Sequence, residues 1–228
     1  LVLLRTLADI GATVSYISAL ASLPLANASA IFQALPLVVT LGAALFLAEP
    51  VGWRRWTAIG VGFLGVLVIV RPGLAGFTSA SVYVLVSVVC AAARDLITRR
   101  VPQTIPSLFI AMTTAGAVML TGWLLVPFGE WHPLEPRHLG ILAVAAVMIG
   151  TGYIFIVEAM RIGDMGFVAP FRYSILVFAL VVGVVGFGET PDAFVLLGSA
   201  IVVGSGGYAF YRERVRGRRL LLDENGVP

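Results

Sequence analysis

The sequence predicts an all-α membrane protein, a polytopic bundle of eight membrane-spanning helices, and three observations predict it. Composition is the first: 59% of the 228 residues are apolar, 12% are charged, and mean hydropathy is +1.00. That is about half the charge density with which a water-soluble domain covers its surface. The second is continuity, because the apolar runs extend over about 20 residues, the length a helix needs to cross the hydrocarbon core. A barrel strand would instead alternate over about ten residues, and helices satisfy their own backbone groups in lipid. The third is that the arginines fall unevenly between the runs.

Charged or Pro/Gly-marked punctuation divides the chain into the elements in order. Span 7–23 closes before Pro24, and span 27–48 ends at Glu49 and Pro50. Span 56–70 is the shortest, could begin as early as Trp53, and stops at Arg71 and Pro72. Span 78–97 runs into Arg99 and Arg100, and span 107–128 lies between Pro106 and Gly129. Span 139–160 ends at Arg161, span 167–188 ends at Glu189, and span 193–211 opens after Pro191 and Asp192. A tail with five arginines and one glutamate follows at 212–219, and 220–228 is expected to be disordered.

Connections between spans alternate sides. One set holds Arg54, Arg55, Arg94, Arg99, Arg100, Arg161 and the tail arginines, while the other holds Arg71 and Arg137. Under the positive-inside rule the first set is cytoplasmic, which places the C-terminus inside and the loop 129–138 outside. The tail reads as a topology signal or as a contact for anionic lipid. Trp53, Arg54, Arg55 and Trp56 read as an interfacial anchor.

All 15 basic residues are arginine and exceed the 12 acids by three, too little charge for general nucleic-acid binding. The single cysteine, Cys90, excludes an intrachain disulfide and a cysteine-cluster metal site. The chain opens at Leu1 inside an apolar run, so a longer natural N-terminus is expected.

Glu49 and Glu189 suggest an internal repeat. They close the second and seventh spans at an offset of 140 residues, and the same offset superposes the turns at 23–25 and 163–165. A glycine-bearing helix follows each: Gly60, Gly62 and Gly65 in one, Gly198, Gly204, Gly206 and Gly207 in the other. Five connections, an odd number, separate the paired spans, so the copies lie in opposite orientations, as in many secondary carriers.

The stretch PLANASAIFQALPLVVTLGAALFLAEPVGWRRWTAIGVGFLGVLVIVRPG, residues 24–73, resembles the first-repeat signature of the drug/metabolite transporter superfamily, EamA type. Residues 163–214, GDMGFVAPFRYSILVFALVVGVVGFGETPDAFVLLGSAIVVGSGGYAFYRER, resemble the matching half. The resemblance implies a ten-helix fold of two inverted five-helix repeats, of which the eight spans are helices three to ten. The first repeat, 1–73, would be incomplete with three helices. The second, 74–228, would hold five and the basic tail from about 212. It also implies a multi-pass protein of the inner (plasma) membrane, with a secondary mechanism working by exchange or by coupling to an ion gradient.

Other motifs carry bland readings. GVGFLG at 60–65 has the dinucleotide-binding spacing but sits within an apolar span, where small residues let helices approach. GSGG at 204–207 echoes an intramembrane serine motif, which needs a base in the membrane, and the only histidines, His132 and His138, are in the outer loop. No HExxH or Walker sequence is present, so the expectation is a protein that is not an enzyme and needs no cofactor.

Ionisable residues inside spans mark function by default, and Asp9, Arg94, Asp95, Glu158 and Arg172 qualify. All lie within about two turns of cytoplasmic helix ends, where side chains can instead snorkel to the headgroups. Glu158 and Arg172 flank one loop and could pair. Tyr16, Gln33, Tyr153 and Tyr173 are polar positions nearer mid-span, with Gln33 and Tyr173 equivalent under the offset and close to Pro36 and Pro170. The expectation is a secondary transporter moving a small organic metabolite or amphipathic solute by alternating access, lined by Tyr16, Gln33, Tyr153, Arg172, Tyr173 and Glu158. Its partners would be the solute, membrane lipid and a coupling ion, H+ or Na+. A non-transporting scaffold or receptor subunit on the same fold is the alternative, and a membrane-embedded enzyme a more distant one.

Overall fold

The computed structural model describes residues 1–46, 52–71, 78–102, 104–128, 135–162 and 174–224, and these residues carry helices and no strands. The helices are α1 (Val2–Leu20), α2 (Leu25–Phe32), α3 (Leu35–Phe46), α4 (Trp53–Val70), α5 (Ser79–Arg100), α6 (Ser107–Leu125), α7 (Pro136–Ile162), α8 (Ser174–Val181) and α9 (Ala193–Glu224). Four described stretches are long and apolar enough to cross a membrane: Leu25–Phe46 taken through its break, Ser79–Arg100, Ser107–Leu125 and His138–Ala159. Three more, Trp56–Val70, Ser174–Gly186 and Ala193–Tyr208, are apolar but shorter. The first helix begins at Val2, five residues before the expected start, so Arg5 belongs to it.

The expected second span is two helices in series. Pro36 has no N–H to give the carbonyl of Phe32, and its ring crowds that carbonyl, so the chain breaks at Gln33 and Ala34 and restarts at Leu35. α8 ends in a π-helical turn, Val182–Gly186, where an offset of 140 residues places the counterpart of Phe46, the end of α3. The starts of α4 and α9, Trp53 and Ala193, are separated by the same 140.

α9 corrects one expectation. It stays helical to Glu224, through residues expected to be disordered, because arginine, leucine and glutamate favour helix and no proline intervenes. Its 32 residues rise about 48 Å, more than the hydrocarbon thickness.

Two antiparallel pairs organise the bundle, α1 with α5 and α4 with α9. Small side chains allow the close approach: Ala12, Ala19, Ala28, Ala30, Ala91 and Ala92 are buried, and Ser87 Oγ donates 2.7 Å to the Ala12 carbonyl. A Cβ at Gly62 would meet Leu37 and Ser205, and one at Gly65 the carbonyl of Gly198, as the packing reading of the glycine motif requires. Gly60, Gly204 and Gly207 face open space. The core fills with Ile31, Leu35, Leu37, Val84, Val88 and Val202, whereas Val144, Val147, Phe155, Phe178 and Val185 point outward, an apolar exterior suited to lipid.

Candidate functional site

α1 carries a polar face into the bundle. Arg5 and Asp9 are one helical turn apart and Tyr16 two turns further on, so the three share a face. Arg5 is 2% exposed and Asp9 3%. A charge this deep has to be hydrogen-bonded and balanced.

Three neutral hydroxyls take the Arg5 guanidinium. Nε donates to Thr98 Oγ1 at 2.9 Å, Nη1 to Thr114 Oγ1 at 2.6 Å and Nη2 to the Tyr153 hydroxyl at 2.7 Å. Both threonines give their own protons to backbone carbonyls one turn back, Thr98 to Arg94 and Thr114 to Ile110, which turns their lone pairs toward Arg5. The Tyr153 hydroxyl in turn donates to Asp9 Oδ2 at 2.6 Å. Asp9 Oδ1 accepts from Arg94 Nη1 at 2.7 Å, and Arg94 also holds Asp95, with Nη2 2.9 Å from Oδ1. Two arginines and two aspartates thus belong to one hydrogen-bonded cluster that links α1 to α5, α6 and α7.

This burial corrects the snorkelling reading of Asp9, Arg94 and Asp95. Asp95 is only 4% exposed, and the carboxylates turn inward to Arg94 rather than out to headgroups. Arg5, Thr98 and Thr114 were missed. The available signal was the i, i+4 spacing of Arg5 and Asp9, hidden because the apolar pattern opens at Leu7.

Of the expected site residues, Tyr153 joins the cluster. Tyr16 shares a hydrogen bond with Ser29 at 3.2 Å and meets Phe32 edge-to-face, with centroids 5.2 Å apart. Gln33 is buried at the joint between α2 and α3. Glu158 is half-buried on α7. Arg172 and Tyr173 lie outside the described residues, and with them the expected pairing to Glu158 and the equivalence to Gln33.

A second polar closure sits at the opposite end of α1. The first N–H groups of α2 follow Pro24, which offers no capping side chain, and Glu189 supplies the cap from across the bundle. Its carboxylate accepts from Leu25 N–H at 2.7 Å and Ala26 N–H at 3.0 Å. Negative charge also suits a helix N-terminus. Gly183 is what makes room, since a Cβ there would lie 2.6 Å from Glu189 Oε2. Nearby, Arg71 ends α4 in the left-handed region (φ 49°), ion-paired with Asp192 and stacked over Phe194 at 4.0 Å. The Arg71 hydrogen bond, followed by one from Phe194 N–H, holds the Asp192 carboxyl below its ordinary value.

On the α3–α5 side, an apolar groove of about 350 Å³ is lined by Val38, Gly42, Phe46, Val89 and Leu96, with Arg100 at one end.

The model of the EamA-like transporter family matches residues 1–71 and 78–207. The chain is 28% identical over 212 residues to the riboflavin transporter of Rhizobium johnstonii, covering 90% of this chain and 68% of that protein. It is 27% identical to an S-adenosylmethionine uptake transporter of Rickettsia felis, covering 84% and 65%. To the pseudopaline exporter CntI of Pseudomonas aeruginosa it is 31% identical, covering 83% and 67%. It thus spans about two thirds of the length of these relatives. One solved protein crystal structure shares the fold, with a TM-score of 0.64 at 22% identity over 92% of this chain and 77% of that one.

Proposed function

Because the chain belongs to the EamA-like transporter family, we propose that it is a secondary transporter that moves a small organic solute across the bacterial inner membrane by alternating access. Relatives named for riboflavin, S-adenosylmethionine and pseudopaline handle chemically unlike molecules, so the scaffold is common to them and the solute is not. We read the chain as eight spans of a five-plus-five inverted repeat. Residues 1–73 supply three helices of the first copy and 74–228 the five of the second. The shared 140-residue register of α3 with the π turn, and of α4 with α9, supports that division.

The observation that carries the proposal is a pair of polar closures joining the two copies at opposite ends. At one end the Arg5–Tyr153–Asp9–Arg94 cluster ties α1 to α5, α6 and α7. At the other, Glu189 ties the chain after α8 to α2. Hydrogen bonds and ion pairs can exchange, so either closure can open while the other holds, which alternating access requires. Tyr16 and Gln33 lie along the stretch between them. The solute would bind there, lined by Tyr16, Gln33, Tyr153 and Tyr173, with Glu158 and Arg172 at the mouth. Under the positive-inside orientation the charge cluster faces the cytoplasm and Glu189 the periplasm. Coupling to H+ or Na+ and lipid contact by the tail complete the reading.

Solute flux into proteoliposomes tests it. Saturable flux of any small organic solute above protein-free vesicles supports a carrier, and its absence across a broad panel favours a non-transporting scaffold. Orientation is tested separately in a Cys90→Ala background, where Trp131→Cys should label from the periplasm and Gly217→Cys from the cytoplasm. Labelling of both from one side breaks the eight-span topology.

A further inference from the structure

The groove between α3 and α5 holds about 350 Å³ and follows one face of each helix. Val89, Ala93, Leu96 and Arg100 stand at i, i+4, i+7 and i+11 on α5, and Val38, Gly42 and Phe46 at i, i+4 and i+8 on α3. From Val89 to Arg100 the α5 wall rises about 16 Å. That is close to half of the ~30 Å hydrocarbon core, the depth of a single leaflet. Small residues shape the middle. A Cβ at Gly42 would lie 2.5 Å from Leu96 Cδ1, so the two helices touch there, and Ala92 and Ala93 bring no bulk to the wall beside them.

The two ends of the groove differ in charge. Arg100 stands at one end, and the rest of the lining is apolar. Arg100 is exposed, and its Nη2 donates to the Phe46 carbonyl at 3.1 Å, which brings the C-terminal ends of α3 and α5 together. That bond uses one of five N–H donors and screens the negative end of α3. Among the described residues no carboxylate pairs with Arg100, in contrast to Arg71 and Arg94. Under the positive-inside orientation this end is cytoplasmic, at the level of the lipid phosphates.

We infer that the groove seats one anionic phospholipid of the cytoplasmic leaflet, with an acyl chain along Gly42 and Ala93 and the phosphate on Arg100. Shape selects the chain, and charge selects the head group. Basic pockets between membrane helices on the cytoplasmic side suit anionic head groups, and the guanidinium fork matches two phosphate oxygens. A zwitterionic head group carries its own ammonium and so gains less from the arginine. A second copy of the chain, docked groove to groove about an axis normal to the membrane, would set two Arg100 charges together. A phosphate brings the opposite charge instead. In the division proposed above, α3 and α5 belong to different copies of the repeat, so the lipid bridges them. Its occupancy does not depend on what the protein transports.

Native mass spectrometry of the full chain in neutral detergent reads the occupancy, with phosphatidylglycerol and phosphatidylcholine of the same acyl chains as probes. One phosphatidylglycerol should be held about fivefold more tightly than phosphatidylcholine, the worth of one interfacial arginine. Arg100→Gln should level the two lipids and leave the unfolding temperature in lipid-free detergent unchanged. Arg100→Lys should keep the preference, as should Arg54→Gln, a control at an exposed arginine outside the groove. Ala93→Phe fills the groove and should lose the retained lipid of either kind. Val89→Trp, at a position already 60% exposed, is the second filling variant should Ala93→Phe fail to fold. Glycerol phosphate, the head group without chains, should not compete at the same concentration. A phosphatidylglycerol preference that survives Arg100→Gln assigns the lipid to the tail arginines and overturns the site. Folded filling variants that retain lipid as the wild type does, or competition by glycerol phosphate, overturn it equally. A lipid-free dimer that the filling variants dissolve gives the groove to a second copy instead.

Discussion

Gly65 and Gly198 face each other across the antiparallel crossing of α4 and α9 so closely that a Cβ on Gly65 would lie 2.9 Å from the Gly198 carbonyl oxygen. One on Gly198 would lie 2.7 Å from that of Gly65. The obstacle on both sides is backbone, which cannot rotate away. Gly65→Ala or Gly198→Ala should therefore destabilise the protein by about 1–3 kcal/mol, the cost of overpacking. Gly60→Ala is the control, because nothing lies within 4 Å of its added methyl. It should be neutral or slightly stabilising through helix propensity. Thermal unfolding in detergent separates the two signs, and equal effects at positions 60 and 65 would show that the crossing is looser than described.

Glu189 reaches α2 from more than 160 residues away and accepts two N–H groups that have no other cap. Glu189→Ala should cost about 1–2 kcal/mol, in the range of a lost helix cap. Gly183→Ala should act through the same contact, because its methyl would occupy the space of Oε2. The double variant should then lose less than the sum of the singles. Full additivity, measured by unfolding, would mean that the glycine serves something other than the carboxylate.

Asp192 gives a pH dependence with a definite sign. Its folded pKa is depressed, chiefly by the Arg71 hydrogen bond and then by Phe194 N–H, from an ordinary value of 3.8. The carboxylate therefore contributes stability above that value and loses it as pH falls through the lower, folded one. Wild type should unfold at a higher temperature than Asp192→Asn near neutral pH, and the difference should shrink only below about pH 4. A gap that persists unchanged into strong acid would assign the effect to packing over Phe194 and not to the ion pair.

Local chemistry was readable in the sequence, and contacts between helices were not. Membrane class, the start of α9 after Pro191 and Asp192, the softening near Pro36 and the packing role of the glycines each depend on neighbours in the chain or on composition. The roles of Arg5 and Glu189 depend on partners brought near by folding, namely Thr98, Thr114 and Tyr153 for one and Leu25 and Ala26 for the other. Nothing in hydropathy distinguishes a carboxylate that snorkels from one that turns inward. Asp9 and Asp95 lie at a depth that allows either, and Arg94, across the helix pair from Asp9 and next in the chain to Asp95, decides it.

Arg94 offers the sharpest test of that decision. If Asp9, Arg94 and Asp95 were independent side chains reaching for headgroups, removing one would matter little, as for exposed ion pairs worth under about 1 kcal/mol. In the observed arrangement Arg94 is the shared partner of two buried carboxylates, so Arg94→Met takes a charged partner from each. The expected loss is about 3–5 kcal/mol, the range for breaking a buried pair by removing one member. Asp9→Asn should recover part of it in the double variant, since the neutral amide can still accept from Tyr153 and no longer needs the guanidinium. Arg100→Met is the internal comparison, because Arg100 is exposed and donates to the Phe46 carbonyl at the rim, and it should change stability by about 0.5 kcal/mol or less. Equilibrium unfolding of the four proteins checks the pattern. An additive Asp9→Asn/Arg94→Met pair, or an Arg94→Met effect no larger than that of Arg100→Met, would return these residues to the lipid interface and dissolve the closure they are argued to form.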